Sequence, residues 1–130
     1  MKYSVDKKDR YTVYTLNEDN LNALIAPDIK SQFVILFNEG VSNLILDLSE
    51  VKYVDSSGLS AILTADRLWK QLGSFILTGV QHPAVIKLIE ISQLGDVLTL
   101  IPTVSESIDF VMMEELEREL TGGPDSDEEE

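Results

Sequence analysis

Asp55-Ser56-Ser57-Gly58-Leu59 is the segment whose residue types and spacing could do chemistry. Two adjacent hydroxyls stand behind an acid and ahead of a glycine, and Leu59, Ile62 and Leu63 then fall at helical spacing. The plainest role of such a string is structural. Asp or Ser accepts hydrogen bonds from the free first-turn N–H groups of a helix, and Gly permits a tight turn. The same position has a chemical consequence. A helix N-terminus carries partial positive charge and unpaired N–H donors, so a phosphoryl group on one of these hydroxyls would be stabilised there. It would also add roughly −1.5 to −2 of charge that a partner can read.

Other candidate chemistry is thinner. Gly58-Leu59-Ser60-Ala61-Ile62 begins like a nucleophile elbow but lacks its closing Gly. Neither GxxxxGK[ST] nor GxGxxG is present, so no nucleotide-phosphate cradle is written in the chain. A hydrolase or transferase using Ser57 as nucleophile would need a base, either His82 or a carboxylate. His82 is the one histidine and immediately precedes Pro83, where turn or N-cap duty is the simpler reading. Asp47, Glu50 and Asp55 suggest a Mg²⁺ site, or an aspartyl phosphoacceptor at Asp47 or Asp55, against the simpler reading of solvated strand-end acids. The absence of cysteine excludes a disulfide framework, a thiolate metal site and a Cys nucleophile together. The expectation is a non-enzyme with no catalytic residue, metal or cofactor of its own.

Composition bounds the partners. The chain has 130 residues, 44% hydrophobic and 25% charged, which fits one soluble domain. Twenty-three acids against ten bases leave −13, a balance that repels phosphate backbones and anionic membrane surfaces. Direct nucleic-acid and membrane binding are therefore not expected. The charge is uneven: Glu114 to Glu130 holds nine acids and one base, Arg118, so −8 sits at that end and −5 over residues 1–113. The N-terminus has no apolar h-region, and no apolar run approaches the roughly 18 residues of a membrane span, so a cytoplasmic protein is the default.

The elements that must position the D-S-S-G string follow from periodicity. Lys2 to Asp6 reads as a weak edge strand paired with Tyr11–Leu16, and Asn17-Glu18-Asp19-Asn20 as a polar interruption. Pro27 and Asp28 suit a helix start; Ile29, Phe33, Leu36 and Phe37 continue it, and Gly40 is placed to end it. Leu44–Leu48 is a buried central strand. The helix opened by the D-S-S-G string carries Leu59, Ile62, Leu63, Trp69 and Leu72 to Gly73, with Trp69 as core or half-exposed packing. Ser74–Val80 is a strand, and His82-Pro83 opens a helix through Ile86, Leu88, Ile89 and Ile91 to near Gly95. Val97–Ile101 is the last strand, and Ser105–Leu120 a helix with Ile108, Val111, Met112 and Leu116 as its stripe. The order is β-β-α-β-α-β-α-β-α: an α/β fold with a mixed sheet of about five strands backed by about four helices. The domain is expected to span 1–120. Residues 121–130 read as a disordered acidic tail in which Ser126 is better explained by solubility than as a kinase target.

The stretch Leu44–Leu63, LILDLSEVKYVDSSGLSAIL, resembles the central signature of STAS domains, which include the bacterial anti-sigma-factor antagonists. The likeness runs over most of residues 10–118, through Leu21-Asn22-Ala23, Ala26-Pro27 and Gly79–Val85 to Ser92–Gly95. The resemblance implies a STAS-like fold and a partner-switching role. The second Ser of D-S-S-G, here Ser57, would be phosphorylated by an anti-sigma factor that is also a serine kinase, and a phosphoserine phosphatase would remove the phosphate. The unphosphorylated form would bind the anti-sigma factor, with Asp55, Ser56, Gly58, Leu59 and Asn22 at the contact. Asn22 stands where the family often has an acid, which retains hydrogen bonding but removes a charge that would repel phosphate. The alternative is a constitutive STAS scaffold or interaction module in which Ser57 only belongs to a capped helix.

Overall fold

The computed structural model describes residues 1–121. Apart from Thr121, the expected acidic tail lies outside them. The chain opens as an antiparallel pair, β1 (Tyr3–Lys7) and β2 (Thr12–Leu16), in register Val5 opposite Tyr14. The polar stretch after it contributes to a strand: β3 (Asn20–Leu21) leads through a turn to α1 (Ala26–Asn38), which has Pro27 in its first turn. Gly40, at φ +93°, takes the left-handed conformation just past the cap of α1. β4 (Leu44–Asp47), β5 (Tyr53–Val54) and α2 (Ser56–Trp69) follow. Then come β6 (Phe75–Thr78), α3 (Pro83–Ile91), β7 (Thr99–Ile101) and α4 (Val104–Leu120).

The five main strands form one sheet in the order β1-β2-β4-β6-β7, parallel except for the outer β1–β2 pair. The expected α/β order and mixed five-stranded sheet are what the chain adopts. The parallel two-stranded pair β3–β5 was not anticipated, because two-residue strands are too short for a period to show. Alternation along the central strands divides the interior. Leu44, Leu46, Phe75, Leu77, Tyr14 and Leu16 face α1, α2 and α3, whereas Val13, Ile45 and Ile76 face Val111 of α4.

Several boundaries and faces depart from the expectation. The last strand starts at Thr99, leaving Val97 exposed, and the third helix ends at Ile91 rather than near Gly95. Leu72 lies beyond the end of α2 and is exposed, as are Ile86 and Ile91 on α3. The fourth helix begins at Val104, capped by the Thr103 hydroxyl accepting from the Glu106 N–H at 3.1 Å. Its inner face is Val104, Ser107, Ile108 and Val111; Met112 and Leu116, expected in that stripe, point to solvent. Trp69 is core. It is fully buried, meets Phe33 and Phe37 edge-on at centroid distances of 6.1 and 5.6 Å, and donates its Nε1–H to the Val41 carbonyl at 2.9 Å.

Candidate functional site

Asp55, in extended conformation, is the N-cap of α2, and its Oδ1 accepts from the Gly58 N–H at 2.9 Å. The capping thus falls to the acid rather than to Ser56, which is the first residue of the helix. The other carboxylate oxygen, Oδ2, accepts from the Ala23 N–H at 3.2 Å, and the Asp55 N–H donates to the Leu21 carbonyl at 3.2 Å. One acid therefore fastens the start of α2 to the segment leading into α1. Gly58 is what lets the two backbones meet, since a Cβ there would lie 2.2 Å from the Leu21 carbonyl oxygen and 2.8 Å from its Cγ.

Asn22 shapes the other wall. Its Oδ1 accepts from the Leu24 N–H at 3.0 Å, and its carbonyl accepts from the Ile25 and Ala26 N–H groups at 3.2 and 2.8 Å. These bonds turn the chain from β3 into α1, an Asx-type turn whose geometry the neutral amide supports as well as an acid would. Between the two helix starts lies an open depression of about 290 Å³ lined by Ala23, Ala26, Pro27, Lys30, Ser56, Ser57 and Ser60. Lys30 reaches across from α1 and donates to the Ser60 hydroxyl at 3.1 Å. Among the described residues neither the Ser56 nor the Ser57 hydroxyl is held in a side-chain hydrogen bond; Ser56 is exposed and Ser57 half-buried.

The structure thus puts Ser56 and Ser57 in the lining of one depression, with Asp55 bonded to Ala23 and Asn22 in the turn beside it, Gly58 buried against Leu21 and Leu59 half-buried on α2. Lys30 and Ser60 were not anticipated. Ser60 follows Ser56 and Ser57 by one turn of α2, whereas Lys30 enters because α1 packs against α2, a tertiary apposition that leaves no local mark on the sequence. His82 occupies the N-cap position of α3, but its side chain makes no capping bond. Asp47 accepts from the Ser49 N–H at 2.9 Å, and no group of three metal-ligating side chains occurs among the described residues. No helix there is long and apolar enough to cross a membrane.

A family profile described as STAS domain matches residues 2–107, most of the chain. The chain belongs to the STAS domain family. No curated protein matches it significantly. Solved STAS structures share its fold. An anti-sigma-factor antagonist (STAS) domain protein from Planctomyces limnophilus superposes with a TM-score of 0.76 at 19% identity, over 85% of this chain and 97% of the other. An anti-sigma factor antagonist from Mycobacterium paratuberculosis gives 0.73 at 21%, over 85% and 93%. The Bacillus cell fate determinant SpoIIAA in its phosphorylated form gives 0.65 at 23%, over 85% and 99%. At such identities the likeness establishes the STAS architecture.

Proposed function

We propose that this chain is an anti-sigma-factor antagonist of a partner-switching pathway in the cytoplasm, controlled by phosphorylation at Ser57. Unphosphorylated, it binds an anti-sigma factor that is also a serine kinase. The kinase brings ATP, so this chain is a substrate and not a catalyst. The Ser57 oxygen bonds to the γ-phosphorus, the bond to the β-phosphate oxygen breaks, ADP leaves, and the hydroxyl proton passes to the kinase. A phosphoserine phosphatase reverses the change by hydrolysis.

The observation that carries this reading is the setting of Ser57: an uncommitted hydroxyl at the second position of a helix whose first turn is anchored by Asp55. A phosphate there meets the positive end of α2, so the fold tolerates it and the effect falls on the partner. Asp55 holds the two helix starts together across the close approach Gly58 permits, Asn22 shapes the turn into α1, and Ser56 and Leu59 offer contact surface. Placing a dianion in a desolvated contact weakens it by several kcal/mol.

Incubating cell lysate with Mg-ATP, followed by intact-mass and site-mapping analysis, should show a single phosphoryl group on Ser57. Ser57→Ala should remain unmodified and keep binding the kinase, whereas Ser57→Asp should bind at least about tenfold more weakly. Phosphate retained on Ser57→Ala sinks the assignment. No phosphate with a demonstrably active kinase would leave the constitutive module.

A further inference from the structure

The STAS match ends at residue 107, but α4 continues to Leu120, and its character changes after Val111. Up to Val111 its inward residues pack on the sheet; beyond it no residue of α4 is buried. Those outer turns are nevertheless held. The fully buried Asn43 donates to Glu115 at 2.8 Å, Arg118 pairs with Glu115 at 2.6 Å, and Arg10 pairs with Glu119 at 2.8 Å. The polar clamp fixes which residues are presented outward: Met112, Leu116 and Leu120 at i, i+4, i+8, with Met113 alongside, at 42%, 48%, 77% and 60% exposure. Polar residues would serve a solvent face better, and a contiguous apolar stripe on a held helix marks a contact surface. Methionine in such a stripe adapts its shape to the occupant.

Charge decides what that occupant is. Asp109 and Glu117 lie a turn from the Met112 and Met113 side chains and flank the stripe, and α4 as a whole holds six acids against Arg118. Glu117, near the end of the helix, opposes its dipole, and a Lys or Arg beside it would be favourable. A second copy on this face would set two acid-rich α4 helices against each other. We infer that the outer face of α4 is a docking site for a basic amphipathic helix of a partner protein. Its apolar side would lie on Met112, Met113, Leu116 and Leu120, and its Lys or Arg residues against the flanking acids. Because α4 covers the sheet face opposite α1 and α2, this partner and the one proposed at Ser57 occupy separate surfaces.

The test uses the full chain, isotopically labelled, and a Leu/Lys peptide of about four helical turns with one apolar stripe. A peptide of identical composition, scrambled to abolish the stripe, is the control. Amide shifts should move in residues 109–120, and the striped peptide should bind about tenfold or more tightly than the scrambled one. Met113→Ser/Leu116→Ser/Leu120→Ser, whose melting should match the parent because these side chains are exposed, should lose a similar factor. Asp109→Asn/Glu117→Gln keeps the stripe and should weaken binding at low salt, with a shallower salt dependence. Equal binding of both peptides, or by the triple-serine variant, would reduce the effect to bulk charge attraction and overturn the proposal. So would shifts confined to other surfaces, or concentration-dependent shifts of residues 109–120 in the free chain, which would assign the face to self-association.

Discussion

The two faces of the central sheet are built on different physics. Toward α1, α2 and α3 lies a continuous apolar interior that includes Trp69, Tyr14 and Phe33, each fully buried. Toward α4 the buried apolar cluster is Val13, Ile45, Ile76 and Val111, and the helix is fastened further out by Asn43, Glu115, Arg118 and Arg10. Burial on the first face is non-directional and scales with area, so many side chains share it. On the second, a few directed bonds hold the end of the helix, and each matters by name. The difference teaches where the molecule is free to vary: the apolar face carries the scaffold that presents Ser57, while the polar clamp carries an appendage.

The largest expected effect breaks the first face. Trp69→Ala removes the biggest buried side chain, its edge-on contacts with Phe33 and Phe37, and the donor to the Val41 carbonyl. A loss of about 3–5 kcal/mol is expected, a large share of a small domain's total stability. Denaturant unfolding followed by circular dichroism would read it as a global loss of helix. A selective loss of α4 would contradict the division.

Asn43→Ala tests the second face and should cost less, about 2–3 kcal/mol. The side chain donates to the Arg10 carbonyl at 2.7 Å and to Glu115 at 2.8 Å, and accepts from the Ser74 N–H at 2.8 Å. Alanine leaves the Arg10 carbonyl and the Ser74 N–H without these partners and frees the end of α4. Hydrogen exchange of residues 112–120 should accelerate well before that of β4 and β6. Uniform acceleration across the molecule would instead mean that the clamp belongs to the global core.

The same division explains what could be read from the chain. The sheet and its helices were legible because periods of two and 3.6 encode apolar faces, and Trp69, read as core or half-exposed packing, is core. The D-S-S-G string announced a capped helix start, and Asp55 provides the cap. Lys30 was not legible, since it joins the depression only through the packing of α1 on α2. Nor was the role of Asn43: a single polar residue before an apolar strand looks like a loop residue until the β1–β2 turn, the segment entering β6 and α4 close around it. Met112 and Leu116 misled for a related reason. Periodicity shows that a residue is apolar but not which of two faces meets the sheet.

The smallest expected effect sharpens the comparison through pH. The Asn43 amide, then the Arg118 guanidinium, donate hydrogen bonds to Glu115, and with the charges of Arg118 and Arg10 they outweigh its partial desolvation, holding its carboxyl below the ordinary 4.5. A folded value below the unfolded one means that the unfolded chain binds the proton more tightly. The stabilisation is therefore fully present above the unfolded value and is lost as pH falls below it through the lowered folded value. Glu115→Gln keeps an acceptor oxygen but removes the charge, so it should be less stable than the parent at neutral pH. The gap should close as pH falls from above 4.5 through the lowered folded value, because the parent loses its advantage there and the variant has none to lose. Because Glu115 fastens only the outer turns, the change should appear first in the amide protection of residues 112–120. A pH-independent gap between the two proteins would show that the carboxylate's charge does not hold α4, and that the clamp rests on the Asn43 amide alone.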